Sequence, residues 1–381
     1  MSIEPFRIEV PDDEIAELRR RIRATRWPDE LPDAGWDYGT DLAVLRQVAR
    51  YWADEYDWRV HEAELNNFPQ YVTTIDGQRV HFLHVRSPHA NALPLVLTHG
   101  WPGSIYEFTK VIGPLTDPGA HGGDPADAFH VVVPSLPGYG FSGPVTERGW
   151  DVRRVARAWA ALMDELGYQR YGAQGGDWGS MVSRHLADLA PDRVCGVHLN
   201  FITASPPGEP DDYADLTPRE AAMFERAKDY MTRGNGYVAI QSTRPQTLAY
   251  ALTDSPVGLL SWILEKFWAW TDNNGDPFEA VTPDELLTNV SIYWFTRTAG
   301  SSARMYYESL GSNAVRAPST KKVPLGVANF PMEIMGARRA WIERDNDLVH
   351  WTEHDRGGHF AALEEPDLFV DDVRAFFRLV R

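Results

Sequence analysis

Five residues, Gly175-Gly176-Asp177-Trp178-Gly179, set one carboxylate among small neighbours. A strand-like run, Tyr168 to Ala173, precedes them and a helical run, Ser180 to Leu189, follows. Strand, tight turn and helix is the geometry that lifts a nucleophile clear of the backbone, and glycines beside it leave space where Cβ atoms would collide. A carboxylate at that point suits opening an epoxide or displacing a halide better than turning over an ordinary ester. On its own the run could equally be a helix capped by Asp177. The rest of the chain has to supply the partners such a nucleophile needs.

An attacked carboxyl carbon passes through an oxyanion, which requires donors beside it. His99-Gly100-Trp101-Pro102-Gly103 follows the apolar run Leu93 to Thr98, and the amides of Trp101 and Trp178 are the expected oxyanion donors. His99 reads as organising this loop without titrating. The candidate base is His359, in Arg356-Gly357-Gly358-His359-Phe360, ahead of a predicted final helix over Leu368 to Val380. A carboxylate must orient that imidazole. Glu333 follows the predicted strand Val323 to Ala328 and is the candidate, with Asp345, Asp347 and Asp355 as rivals. The chain order Asp177, Glu333, His359 is the order used by α/β-hydrolases.

The elements that must hold these residues read as a doubly wound, mostly parallel α/β sheet. Leu93 to Thr98 and Phe129 to Val133 are continuous apolar runs, as expected of strands covered on both faces. Further strands are expected at Arg170 to Ala173 and Val194 to Leu199, with helices at Trp150 to Leu166 and Ser180 to Leu189. Tyr71 to Ile75 and Arg79 to Val85 alternate around Asp76-Gly77, a two-residue hairpin signal. Ahead of them lie a helix from Pro11 to about Thr25, capped by Asp12 or Asp13, and a second over Leu42 to Trp58.

Between about Ile202 and Lys322 the alternation stops. That stretch is helical and aromatic, with Thr217 to Lys228, Val257 to Thr271 and Thr282 to Thr298 as its clearest helices. An insertion there would form a cap over the site, and Trp262, Phe267 and Trp294 are expected to line an apolar pocket, although such stripes are more often plain core. The expected division is 1–92 (N-terminal meander and first hairpin), 93–201 (first core part), 202–322 (cap) and 323–381 (second core part).

A net charge of −17 over 381 residues excludes a basic surface for nucleic acid or anionic membrane. The single cysteine, Cys195, excludes an internal disulfide and reads as a buried structural thiol. The charged N-terminus lacks a signal-peptide core and no run approaches the length of a membrane span, so a soluble, cytoplasmic protein is expected. No metal or organic cofactor is called for, and a homodimer is left open. Lysine supplies only five of the 37 basic residues, the bias of a high-GC genome.

Together these elements resemble the epoxide hydrolases, specifically the microsomal-type branch, over nearly the whole chain. The resemblance rests on Pro69-Gln70-Tyr71, HGWPGS at His99 to Ser104, and Ser135-Leu136-Pro137-Gly138-Tyr139-Gly140-Phe141-Ser142. It continues through GGDWGS at Gly175 to Ser180, Asp254-Ser255-Pro256-Val257-Gly258, and GGHFAALEEP from Gly357 to Pro366. It implies an α/β-hydrolase fold and hydrolysis of an apolar epoxide by water to a vicinal diol. It also implies two cap tyrosines gripping the epoxide oxygen, which fall by motif on Tyr237 and Tyr306, with Tyr307 as an adjacent rival. The mammalian members' N-terminal anchor is missing, which suits a soluble bacterial or fungal type. A haloalkane dehalogenase shares the aspartate and histidine but has no need of paired tyrosines. A non-catalytic receptor on this fold has no need of a full triad.

Overall fold

The coordinates are a computed structural model describing residues 2–209, 212–316, 318 and 320–381. Residues 1, 210, 211, 317 and 319, which fall in the expected meander and cap, lie outside the described residues. Among the described residues nine strands form one sheet: β1 (Glu4–Pro5), β2 (Gln70–Ile75), β3 (Gln78–Val85), β4 (Leu93–Thr98), β5 (Phe129–Pro134), β6 (Tyr171–Gly175), β7 (Val194–Leu199), β8 (Leu325–Asn329) and β9 (Leu348–Glu353). Their order is β1-β2-β3-β5-β4-β6-β7-β8-β9. β1, β2, β3 and β5 pair antiparallel, and every pair from β5 through β9 is parallel. The fold is that of the α/β-hydrolases.

The apolar runs become the central strands because helices cover them. β4 and β5 each bury all but one residue. The helices Val152–Glu165 and Asp177–Leu189 pack on each other beside the sheet, and the C-terminal helix Pro366–Phe377 packs on β7, β8 and β9. Asp76 (φ 50°) and Gly77 (φ 75°) make the β2–β3 hairpin turn, both in the left-handed region that a type I′ turn demands.

Several details differ from expectation. Leu42 to Trp58 is two helices, Leu42–Asp54 and Trp58–Leu65, because the Asp57 side chain accepts from Arg59 N and starts a new helix. Asp12 and Asp13 sit inside the first turn of Asp12–Arg23, whose cap position is Pro11, so neither is the cap and both favour the helix through its dipole. β9 was not anticipated: its mostly half-exposed residues carry none of the apolar continuity of the central strands. Cys195 is half-buried on β7.

The stretch between β7 and β8 contains the helices Pro218–Asp229, Gly236–Thr243, Pro245–Asp254, Pro256–Trp270, Pro283–Thr296 and Arg304–Gly311. The N-terminal meander fastens to it. Trp52 Nε1 donates to Ser291 Oγ at 3.1 Å, Tyr56 and Thr288 share a hydroxyl contact at 3.0 Å, and Thr40 Oγ1 donates to Ser261 O at 2.9 Å. Among the described residues no helix is long and apolar enough to cross a membrane.

Candidate active site

At the end of β6 the chain turns so tightly that Asp177 takes φ 46°, uncommon for a residue with a side chain. A Cβ on Gly179 would lie 1.9 Å from Thr98 O, so the helix start can press against β4 only because that residue is glycine. Asp177 is the first residue of its helix, where the dipole's positive end favours a carboxylate. Across the elbow, Trp101 N donates to Asp177 Oδ1 at 2.7 Å. A side chain at Gly100 would collide with that carboxylate, its Cβ 2.1 Å from Oδ1.

The loop carrying Trp101 is fixed from both sides. Leu136 N donates to His99 Nε2 at 3.1 Å, which leaves the proton on Nδ1, and that nitrogen donates to Gly100 O at 2.9 Å. Burial pushes the His99 pKa down to about 4, so the ring is neutral and holds the loop. From the cap helix Pro283–Thr296, Asn289 Nδ2 donates to Pro102 O at 2.8 Å and Tyr293 OH to Gly103 O at 2.7 Å.

His359 places Nε2 3.5 Å from Asp177 Oδ2 and Nδ1 2.6 Å from Glu333 Oε1. Ile334 N also donates to Glu333 Oε1, at 2.7 Å. Burial opposes charge on His359, yet the Glu333 and Asp177 carboxylates on either side outweigh it and hold the imidazole pKa well above its ordinary value. Among the rivals, the Asp355 side chain is 86% exposed and Asp345 pairs with Arg344 on the surface. Asp347 serves β8 through its backbone, accepting from Leu325 N. Glu333 is the candidate whose carboxylate reaches the imidazole.

Asp177 opens into a cavity of about 340 Å³ lined also by Trp178, Met181, Phe201, Tyr237 and Tyr306. Tyr237 and Tyr306 come from different cap helices, their rings 5.8 Å apart, and both pack on Trp101. Burial pushes both phenols well above their ordinary pKa, so each carries its proton at neutral pH. Tyr307 points away: it is 49% exposed and lines a separate surface groove.

Three expected pocket residues are corrected, since none of them lines this cavity. Trp262 donates Nε1 to Gln241 Oε1, Phe267 stacks on Phe360 within the core, and Trp294 lines an outer groove beside Arg297. Helical spacing marks a packed face without saying which neighbour it meets.

Residues 3–108 match the family described as Epoxide hydrolase N terminus, and residues 94–235 match the alpha/beta hydrolase fold. Over 381 residues the chain is 51% identical to the Putative epoxide hydrolase of Stigmatella aurantiaca (strain DW4/3-1), covering 100% of this chain and 86% of that one. The chain belongs to the epoxide hydrolase family. It is 38% identical to Epoxide hydrolase 1 of Sus scrofa, over 100% of this chain and 89% of that one. The solved structure of Aspergillus niger epoxide hydrolase matches with TM-score 0.88 and 34% identity, covering 100% of this chain and 97% of that chain. As an epoxide hydrolase it acts on an ether bond, and the dehalogenase and receptor readings give way.

Four polar residues beside the hydrolase's site escaped the sequence reading. Tyr230 lines the cavity and its hydroxyl lies 2.9 Å from that of Tyr237. The ammonium of Lys266, buried and paired with Glu265, sits 4.6 Å above the Tyr237 ring. Glu107 aims its carboxyl inward: a Cβ on Gly103 would lie 1.4 Å from its Oε1, and burial pushes its pKa up to about 8. Glu364 accepts from Asp272 N and Phe360 N, both at 2.8 Å, and burial pushes it up to about 7. Glu107 stands just past the HGWPGS run and Glu364 within GGHFAALEEP, so motif proximity was a usable signal for both. Tyr230 and Lys266 had none.

Proposed function

We propose that this hydrolase opens its epoxide through a covalent ester on Asp177. The observation that carries the reading is the shared position of Asp177, which contacts Trp101 N and His359 and faces two neutral phenols across one cavity. Asp177 Oδ2 attacks a ring carbon from the side opposite the breaking C–O bond, and Tyr237 and Tyr306 hold the epoxide oxygen as it becomes an alkoxide. Oδ1, on the Trp101 amide, becomes the ester carbonyl oxygen. The Trp178 amide is the second donor when water adds to that carbonyl.

The charges give the histidine a timed role. In the resting site the imidazole lies between two carboxylates, which favour its protonated form. Ester formation removes the charge on Asp177, leaving burial and Glu333 to oppose each other, so the His359 pKa falls, the ring releases its proton to solvent, and the neutral imidazole can then accept one from the attacking water. Hydrolysis then returns the Asp177 carboxylate and releases a vicinal diol.

Met181, Phe201, Val238, Leu310, Ile334 and Met335 give the cavity an apolar wall, which suits aryl or bulky alkyl epoxides. Such substrates fit detoxification or secondary metabolism in a soluble cytoplasmic enzyme. Single-turnover hydrolysis of styrene oxide in oxygen-18 water tests the mechanism. Label should enter the Asp177 carboxylate and be missing from the first diol; label in that diol would mean that water attacks the epoxide directly.

A further inference from the structure

The cavity contains a phenol that the mechanism above leaves unused. Tyr230 belongs to a π-helical turn, Tyr230–Gly234, set between the helices Pro218–Asp229 and Gly236–Thr243. Turns of this kind are rare and concentrate at functional sites. This one carries the chain from Tyr230 to Tyr237 so that the two hydroxyl oxygens come within 2.9 Å. Tyr237 is 4% exposed, whereas Tyr230 is only half-buried.

That difference in burial matters once Tyr237 gives up its proton. A phenolate left at Tyr237 would be a buried charge, which is costly even with the Lys266 ammonium over its ring. Tyr230 can hand its own proton to the Tyr237 oxygen as that oxygen loses one, moving the negative charge outward by one residue. Burial raises both phenols, Tyr230 to about 12 and Tyr237 well above its ordinary value, and the half-buried Tyr230 hydroxyl is the one nearer to solvent.

We propose that Tyr230 is the outer member of a two-phenol proton relay, acting through Tyr237 and never on the substrate. The proposal rests on the covalent reading above. In the step, the Tyr237 O–H bond breaks and its proton bonds to the epoxide oxygen. The Tyr230 O–H bond breaks in turn and its proton bonds to the Tyr237 oxygen, leaving a phenolate at Tyr230. Solvent water protonates that phenolate. His359 releases one proton to solvent once the ester has formed and regains one from the attacking water, so turnover as a whole is proton-neutral. Tyr230 is therefore a positioning and relay residue, and Tyr237 is the one that touches the reacting oxygen.

The test is stopped-flow tryptophan quenching during ester formation from styrene oxide, using the full-length enzyme. Tyr230→Phe should slow ester formation about 3- to 30-fold and leave hydrolysis of the formed ester unchanged. In a Tyr237→Phe background the same substitution should cost nothing more, because its only route to the substrate is gone; equal losses in both backgrounds would make Tyr230 a structural residue and overturn the relay. In mixtures of light and heavy water the wild-type rate should bend away from a straight line, as expected of two protons in flight, and Tyr230→Phe should straighten it. A straight wild-type plot would also overturn the relay. As a shape-preserving check, 3-fluorotyrosine at position 230, a stronger acid, should speed ester formation a few-fold; no change would count against the proposal. If Tyr237→Phe and Tyr306→Phe both left ester formation untouched, the donor reading itself would fall; slow Tyr237→Phe with unaffected Tyr230→Phe would remove the relay alone.

Discussion

Two histidine–carboxylate groups, one at the site and one in the core, behave in opposite ways. At the site, one imidazole, His359, meets two carboxylates, Glu333 at 2.6 Å and Asp177 at 3.5 Å. In the core, one carboxylate, Asp372, meets three imidazoles: His198 at 2.9 Å, His350 at 3.0 Å and His354 at 3.3 Å. Burial opposes charge on both His359 and His198, but the carboxylates win at His359 and burial wins at His198. His350 and His354 are part of the reason, since each repels a proton on His198. Burial likewise opposes charge on Asp372, yet the three imidazoles around it hold that carboxyl well below its ordinary range. The same two residue types thus favour a cation in one place and an anion in the other. The ratio of acids to imidazoles sets which, and Asp177 of the first group lines a cavity.

The largest effect should come from removing the second acid. Asp177→Asn is expected to abolish turnover and form no covalent adduct, and to lower the His359 pKa, read from imidazole proton shifts by NMR. An unchanged His359 titration would show that the Asp177 charge is not what holds it up.

Next comes the imidazole itself. His359→Gln should slow ester hydrolysis by about 10² to 10⁴-fold and accumulate an adduct on Asp177 visible by intact mass. Glu333→Gln should fail at the same step. A fully active Glu333→Gln alongside a dead Asp347→Asn or Asp355→Asn would transfer the orienting role.

The core group should respond in stability alone. Asp372→Asn loses charge-assisted hydrogen bonds, each worth about 1.5 to 3 kcal/mol, and a loss on that scale should appear in urea unfolding at pH 7 while kcat per folded molecule stays the same. The native pKa of Asp372 is depressed, so its contribution is present above its ordinary value of 3.8 and fades as pH falls below that. The gap between variant and parent should therefore close in acid. A gap independent of pH would mean packing, not charge, was lost.

The smallest effect is expected at Glu107, a buried acid without an imidazole hydrogen bond. Its native pKa, about 8, lies above its ordinary value of 4.5, so its contribution favours the fold below pH 4.5 and is lost as pH rises to about 8. Glu107→Gln should therefore melt higher than the parent at pH 9 and gain little at pH 5. Identical melting at both values would place that carboxyl in contact with water.

Much of the site was visible as local order. The elbow around Asp177, the strand β4 before His99 and the hairpin at Asp76-Gly77 each follow from short-range rules, since a turn or buried strand restricts the residues within it. Glu333 could be named but not separated from Asp345, Asp347 and Asp355, because reaching an imidazole 26 residues away is a matter of packing. The cap was the least legible region. Trp262, Phe267 and Trp294 looked no different from pocket residues, while Tyr230 and Lys266 gave no sign of where they point.

The sequence by itself named the candidate reactive side chains, their chain order and the parallel sheet, because these depend on residue type, spacing and burial pattern. Tertiary structure alone decided which carboxylate meets which imidazole, and which aromatic rings face the cavity. The physical reason is that pKa and proton-donor strength arise from neighbours brought together across the chain. His359 is an ordinary imidazole until the fold buries it between the Glu333 and Asp177 carboxylates.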